Sequence, residues 1–204
     1  MRLYLIRHGE TTYNAIQRMQ GWDEIPLNDN GIAQASRLGQ RLIDFPIDQI
    51  YSSDLRRTVM TSAVIAAHTG VPITYKSLFR ERNPGDLTGQ DYETCMEFFT
   101  DETFDPPNGE SVMVFADRVR ESFDWLVEKE GYTDRHIAVV THGMVCTGFV
   151  RICLGFDPLE DETFHWPNTA LTIADYKDGQ WSHELLACGA HLDGDVATGH
   201  ATGA

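Results

Sequence analysis

The chemistry in this chain centres on two His-Gly steps, each placed where an apolar run stops. Leu3 to Ile6 runs into Arg7-His8-Gly9, and the β-branched run His136 to Val140 leads into Thr141-His142-Gly143. Arg57 follows a third short apolar segment, and Glu81 opens a stretch rich in Gly, Pro and acidic residues. Hydrolysis of a phosphate monoester without a metal needs cations on the phosphoryl oxygens, a nucleophile in line with the ester bond and an acid for the leaving oxygen. Arg7, Arg57, His8, His142 and Glu81 can supply all three. His8, His142 and Glu81 also admit a two-histidine, one-carboxylate metal site. Two guanidiniums among those ligands would repel a divalent cation and already bring the charge that a metal would bring. No metal and no cofactor is therefore expected.

Elements must bring these residues together. Leu3 to Ile6 has the continuous apolar character of a buried parallel strand. Asn28 to Ile43 opens on a polar cap and repeats apolar residues at Ile32, Ala35, Leu38 and Leu42, which predicts an amphipathic helix. Asp48 to Ser52 predicts a strand, Leu55 to His68 a helix, and Gly70 to Tyr75 a C-cap glycine followed by a short strand. Residues 79–111 form an excursion that could serve as a lid, with one helix around Tyr92 to Phe99. Val112 to Lys129 predicts a long amphipathic helix, His136 to Val140 a strand, and Met144 to Leu154 a helix. Thr169 to Tyr176 and Trp181 to Ala187 form a closing hairpin around a Lys-Asp-Gly-Gln turn. The expected fold is α/β, a three-layer α/β/α sandwich around a mostly parallel central sheet, with the site at the C-terminal ends of the strands, where such sheets bind ligands.

Length and composition bound the rest. A chain of 204 residues that is 42% hydrophobic is long enough for one well-buried domain and short for two. Residues 1–188 are taken as that domain and 189–204, Gly/Thr/Ala-rich, as a flexible tail. His191 and His200 in that tail read as solvated side chains before they read as metal ligands. Sixteen Lys+Arg against 31 Asp+Glu leave a formal charge of -15, which repels nucleic acid and anionic membrane surfaces. An anionic substrate must then be drawn in by a few concentrated cations. The opening MRLYLIRHGE has neither a secretory apolar region nor a membrane span, so a cytoplasmic protein is expected. Cys95, Cys146, Cys153 and Cys188 lack ligand spacing and read as reduced core thiols. Monomer and homodimer both stay open.

Arg7-His8-Gly9-Glu10-Thr11 with Asn14, Arg18, Gln20-Gly21-Trp22, Pro26-Leu27, Gly31 and Gln34-Ala35 resembles, in residue and spacing, the opening of the histidine phosphatase superfamily. Ser52-Ser53-Asp54-Leu55-Arg56-Arg57 with Thr61, Glu81-Arg82 with Gly85 and Gly89, Gly109-Glu110-Ser111, Thr141-His142-Gly143 and Pro167-Asn168 continue the likeness in the family's order. It is similar to the first branch, which holds cofactor-dependent phosphoglycerate mutases and small broad-specificity phosphatases. The resemblance implies that His8 is the nucleophile that becomes a phosphohistidine, a role suited to an imidazole that is neutral near pH 7. It implies that Arg7 and Arg57 hold the phosphoryl oxygens, and that His142 donates to the phosphoryl group or lies beside it, its pKa raised by the substrate's charge. Glu81 matches the proton donor, with a pKa raised by burial and phosphate, and Glu10 is the second candidate for that role. Asn14, Gln20, Gly21 and Gly143 match the loops around phosphate and substrate. Arg56 reads as a surface cation. An acid between Arg80 and Arg82 could equally be a surface ion pair.

What happens to the phosphohistidine separates a phosphatase from a mutase. A mutase needs further cations to grip a second phosphate and a carboxylate, and between Asn83 and Asp117 there is no Lys or Arg. Thr147, where many relatives carry arginine, removes another anion contact, and Met144 and Val145 lack polar character. Cys95, Met96, Phe98, Phe99, Phe104 and Met113 fill that region instead. Where such residues line a pocket they favour a substrate whose non-phosphate part is apolar or weakly polar. The reading is a metal-independent phosphomonoester hydrolase acting on a small phosphorylated metabolite. The alternatives are a phosphoglycerate mutase, a non-catalytic regulatory relative, and a protein phosphatase that docks a partner.

Overall fold

The computed structural model describes residues 1–101, 103–161 and 164–192. The chain opens with strand β1 (Arg2–Arg7), the short helix α1 (Thr12–Ala15), helix α2 (Asp29–Leu42) and strand β2 (Gln49–Ser52). Helix α3 (Arg56–Thr69) and strand β3 (Ile73–Tyr75) follow, then helix α4 (Met96–Thr100), helix α5 (Val112–Glu130), strand β4 (His136–Thr141) and helix α6 (Gly143–Phe149). Strands β5 (Leu171–Lys177) and β6 (Gln180–Cys188) close it. The single six-stranded sheet has the order β3-β2-β4-β1-β5-β6. Its first four strands pair in parallel, and β5 and β6 add an antiparallel edge.

Alternation along the central strands explains the three layers. Leu3 and Leu5 of β1 and Ile137 and Val139 of β4 face one side, with Val119, Phe123, Leu126 and Phe149 of α5 and α6. Tyr4, Ile6, Ala138 and Val140 face the other, with Leu38, Leu42 and Ile65 of α2 and α3. A sheet buried on both faces needs apolar residues at every strand position, which is why β1 and β4 read as continuous apolar runs rather than alternating ones. The helix caps come from the expected residues. Asn28 Oδ1 accepts from Gly31 N at 2.8 Å, and Gly70, at φ +71°, ends α3 in the left-handed conformation.

Three expectations shift. The helix placed over Met144 to Leu154 is α-helical only to Phe149 and then widens into a π turn over Val150–Leu154. In the 79–111 excursion the α-helix is Met96–Thr100 rather than one around Tyr92 to Phe99. Within the tail expected from residue 189, Ala190–Leu192 is instead an ordered 3-10 turn with Leu192 buried and His191 bonded to Thr169. Residues 193–204, with His200, lie outside the described residues. All four cysteines are free thiols, Cys95 and Cys146 buried and Cys153 and Cys188 partly so. Among the described residues no helix is long and apolar enough to cross a membrane.

The loop after β1 is pressed against the start of α2. A Cβ on Gly31 would sit 2.0 Å from the Glu10 carbonyl oxygen, which a backbone atom cannot evade. Gly31→Ala is therefore expected to destabilise the protein by about 3 kcal/mol, the upper end for overpacking, measured by urea unfolding.

Candidate active site

Register, rather than sequence proximity, joins the two histidines. In the parallel pair of β1 and β4, Arg7 lies opposite Thr141, so the next residues, His8 and His142, emerge side by side at the carboxyl edge of the sheet. Their rings stand edge-on with centroids 5.3 Å apart. His8 N donates to Thr141 O at 2.9 Å, and Ser53, one residue past β2, donates its N–H to Val140 O at 2.9 Å. Three adjacent parallel strands thus deliver His8, His142 and Ser53 to one place.

Hydrogen bonds fix the tautomers. His8 Nδ1 lies 2.7 Å from the Gly9 carbonyl oxygen, which can only accept. Nδ1 therefore carries the proton and Nε2 presents its lone pair. Burial, then Arg57 and then Arg7, hold the His8 pKa well below that of a free imidazole, so the ring stays neutral. Arg57 Nε donates to His142 Nδ1 at 3.2 Å, which puts the His142 proton on Nε2, directed at Ser53 Oγ 2.9 Å away. His142 is fully buried and both its nitrogens are engaged by protein, so it stands behind Arg57 instead of donating into the cleft. Burial first and Arg57 second lower its pKa.

The two arginines are prepared differently. Arg57, fully buried, spans Gly21 O at 2.8 Å, Asp23 O at 3.2 Å and His142, which consumes three of its five donors and fixes its plane. Burial pulls its pKa down to about 10, still a cation at any working pH. Arg7 Nη1 donates to Trp166 O. Arg7 Nε is buried and has no hydrogen-bond partner among the described residues, an arrangement that costs about 1–3 kcal/mol unless an acceptor meets it. Arg56 is exposed, as expected.

Glu81 faces this group across the cleft. Oε1 accepts from Arg82 N at 3.0 Å and Oε2 from Met144 N at 3.3 Å. Burial raises its pKa against the pull of these amides and of Arg57 and Arg7. Its basic neighbours do not pair with its side chain. Arg80 forms a two-point ion pair with Asp54 at 2.6 and 2.7 Å, and Arg82 is bound to the carbonyls of Glu110, Phe98 and Phe104 with its guanidinium 3.9 Å over the Phe98 ring. Glu10, the other candidate acid, is tied to Asn28 and Asn30 Nδ2 at the start of α2 and does not line the cleft.

Arg118 and Glu110 hold the Glu81 segment in place. Arg118 pairs with both Glu110 oxygens at 2.7 and 2.6 Å and donates to the carbonyls of Leu78, Arg80 and Glu81. The second Glu110 oxygen also accepts from Asn83 N at 2.8 Å. Both side chains are largely buried. Glu110→Ala is expected to cost about 3 kcal/mol, because it strands a buried guanidinium; Arg118→Met combined with it should recover part of that loss, as read by thermal unfolding.

Asn14, Gln20, Gly21 and Gly143 all line the cleft. Asn14 Oδ1 accepts from Thr11 N at 3.2 Å and Gln20 Oε1 from Thr11 Oγ1 at 2.9 Å, so each offers a ligand the donor half of its amide. A Cβ on Gly143 would stand 3.6 Å from Arg7 Nε, in the space an acceptor for that nitrogen would use. Sequence reasoning passed over Met19, Tyr92, Leu159, His165 and Trp166, which also line the cleft. Of the apolar candidates, Phe98 and Phe99 line it; Cys95 and Phe104 do not and pack in the cluster of Met19 and Phe98; Met96 and Met113 are half or more exposed and play no part. Thr147 Oγ1 accepts from Trp166 Nε1 at 3.0 Å, so Thr147 anchors a wall residue of the cleft. Among the described residues no group of three His, Cys, Asp or Glu side chains is placed to hold a metal ion.

The model of the histidine phosphatase superfamily (branch 1) matches residues 3–189. The probable phosphoglycerate mutase GpmB of Salmonella choleraesuis (strain SC-B67) is 32% identical over 190 residues, covering 89% of this chain and 87% of that protein. The uncharacterized phosphatase PhoE of Bacillus subtilis (strain 168) is 30% identical over 192 residues, covering 94% and 97%. The structure of Bacillus stearothermophilus YhfR superposes with a TM-score of 0.83 at 27% identity, covering 94% of this chain and 99% of that one. With the paired strand-end histidines, Arg7 and the buried Arg57 beside them, and a family match over nearly the whole described chain, this protein belongs to the histidine phosphatase superfamily, branch 1.

Proposed function

We propose that the protein is a metal-independent phosphomonoester hydrolase that works through a phosphohistidine on His8. The observation that carries this reading is the juxtaposition of a neutral His8, its Nε2 lone pair unprotonated, with a buried Arg7 Nε that lacks an acceptor. A phosphoryl oxygen would supply that acceptor, and the remaining Arg57 donors and the Asn14 and Gln20 amides would take the others. His8 Nε2 attacks phosphorus, the ester P–O bond breaks, and the leaving oxygen takes the Glu81 proton. The Glu81 carboxylate then takes a proton from water, whose oxygen attacks phosphorus as the P–N bond breaks, releasing phosphate and restoring His8. His142 fixes Arg57 and Ser53 rather than touching the reacting atoms.

The cleft walls favour one phosphate on a weakly polar body. Phe98, Phe99, Tyr92, Leu159 and Trp166 line the cleft, and Arg82, which lines it with them, has its guanidinium committed to three carbonyls. The likeness to GpmB supports a mutase as the second reading, and the missing cations between Asn83 and Asp117 oppose it. Free thiols accord with a reducing, cytoplasmic setting. The test is phosphate release from p-nitrophenyl phosphate and a panel of phosphorylated metabolites in excess EDTA, with 3-phosphoglycerate and its bisphosphorylated primer assayed for isomerisation. Release that survives EDTA supports the hydrolase; isomerisation without release replaces it with the mutase.

A further inference from the structure

His8 owes its position to a turn on the far side of β1. The backbone of Arg7 and His8 is clasped by residues 168–170: Arg7 N donates to Ala170 O at 3.2 Å, and His8 O accepts from Thr169 N at 3.2 Å and from Asn168 Nδ2 at 3.1 Å. Thr169, at the corner of that turn, is fully buried at φ +60°. A β-branched residue is a true outlier there and persists only where its surroundings over-determine it.

What holds Thr169 comes from the end of the described chain. Arg41 Nη1 lies 3.4 Å from His191 Nδ1, and a guanidinium can only donate, so the His191 proton is on Nε2. Nε2 is 2.8 Å from Thr169 Oγ1, whose own proton then goes to Asn168 O at 2.6 Å. The donors run in one direction, from α2 through His191 and the Thr169 hydroxyl to the Asn168 carbonyl, and the Thr169 N–H of that same peptide donates to the His8 carbonyl. Each bond polarises the next.

We propose that His191 is a positioning residue for the nucleophile, acting through the Thr169 corner so that the His8 ring keeps its Nδ1 bond to Gly9 and its Nε2 on the line of attack. The proposal rests on the phosphohistidine reading for its kinetic test. The structural half of it stands on the hydrogen-bond chain alone.

Four variants test it: His191→Ala, His191→Gln, Thr169→Gly and the double His191→Ala/Thr169→Gly. His191→Ala should lower kcat on p-nitrophenyl phosphate about tenfold with KM within about twofold, because a misplaced nucleophile costs rate rather than binding. His191→Gln, which can both accept from Arg41 and donate to Thr169, should restore most of the loss. In the Thr169→Gly background, His191→Ala should change kcat no further, since the side chain it acts through is gone. Nitrogen NMR of the His8 imidazole should show the Nδ1–H tautomer in the wild type and a mixed population in His191→Ala. An unchanged kcat and an unchanged His8 tautomer in His191→Ala overturn the proposal, as does an additive loss in the double variant. If the wild type turned over no phosphate ester, that would count against the hydrolase reading, and the tautomer measurement alone would decide this one.

Discussion

His8→Ala is expected to lower phosphate-ester turnover by about 10⁴-fold or more, the scale seen when a covalent nucleophile is removed, while leaving the fold intact. The side chain offers no interaction that α2, α3 or the sheet depends on. Its ring donates to the carbonyl of its own neighbour, Gly9, and packs edge-on to His142. The backbone bonds that fix the strand end, from His8 N and to His8 O, survive the substitution. The measurement is steady-state release of p-nitrophenol in excess EDTA, with thermal unfolding alongside. Loss of activity with loss of the folded state would say nothing about the nucleophile, so His8→Asn, close in volume and able to keep a donor near Gly9 O, is the companion variant.

Glu81→Gln is expected to cost about 10²–10⁴-fold on substrates with a poorly acidic alcohol, the range for a positioned general acid. The loss should be far smaller on p-nitrophenyl phosphate, whose leaving oxygen needs little protonation. That dependence on leaving group distinguishes an acid from a residue that merely shapes the cleft. The pH profile adds a sign. Turnover needs His8 without its proton and Glu81 with one. Burial moves the His8 pKa down and the Glu81 pKa up, so both shifts enlarge the population in that combination. In the wild type kcat/KM should hold into mildly acidic solution and fall as pH rises through the Glu81 pKa. In Glu81→Gln that alkaline limb should vanish.

The fold and the principal residues of the site were legible because local signals and global fold agree here. A strand buried on both faces leaves a continuous apolar run, and β1 and β4 each end at a His-Gly pair, so the sequence marks both the strand and the chemistry at its end. Asn28 and Gly70 announced the helix ends they form. Partnerships across the sheet were hidden. That Ser53 and Arg57 fix the His142 tautomer depends on β2 lying next to β4, a matter of strand order that no local pattern encodes. His142 was accordingly read as a donor to phosphate or its neighbour, and the structure directs its proton at Ser53. Arg118 reads as one charge on an amphipathic helix until Glu110 and the Glu81 carbonyl are folded against it. Met96 and Met113 were grouped with Phe98 and Phe99 by composition, but the short α4 turns its phenylalanines inward and Met96 outward, and Met113 lies exposed on the first turn of α5. Thr169 is the extreme case: a β-branched residue in a left-handed turn contradicts its own propensity and shows only in the folded chain.

The most direct test is to trap the intermediate. Glu81→Gln protein mixed with p-nitrophenyl phosphate and quenched in alkali, where a phosphohistidine survives, is analysed by intact mass and by fragmentation. Because the good leaving group departs unaided while water is left without its base, a phosphoryl adduct should accumulate, one per chain, on His8. Turnover with no adduct on any residue, or an adduct on a residue other than His8, would contradict the account.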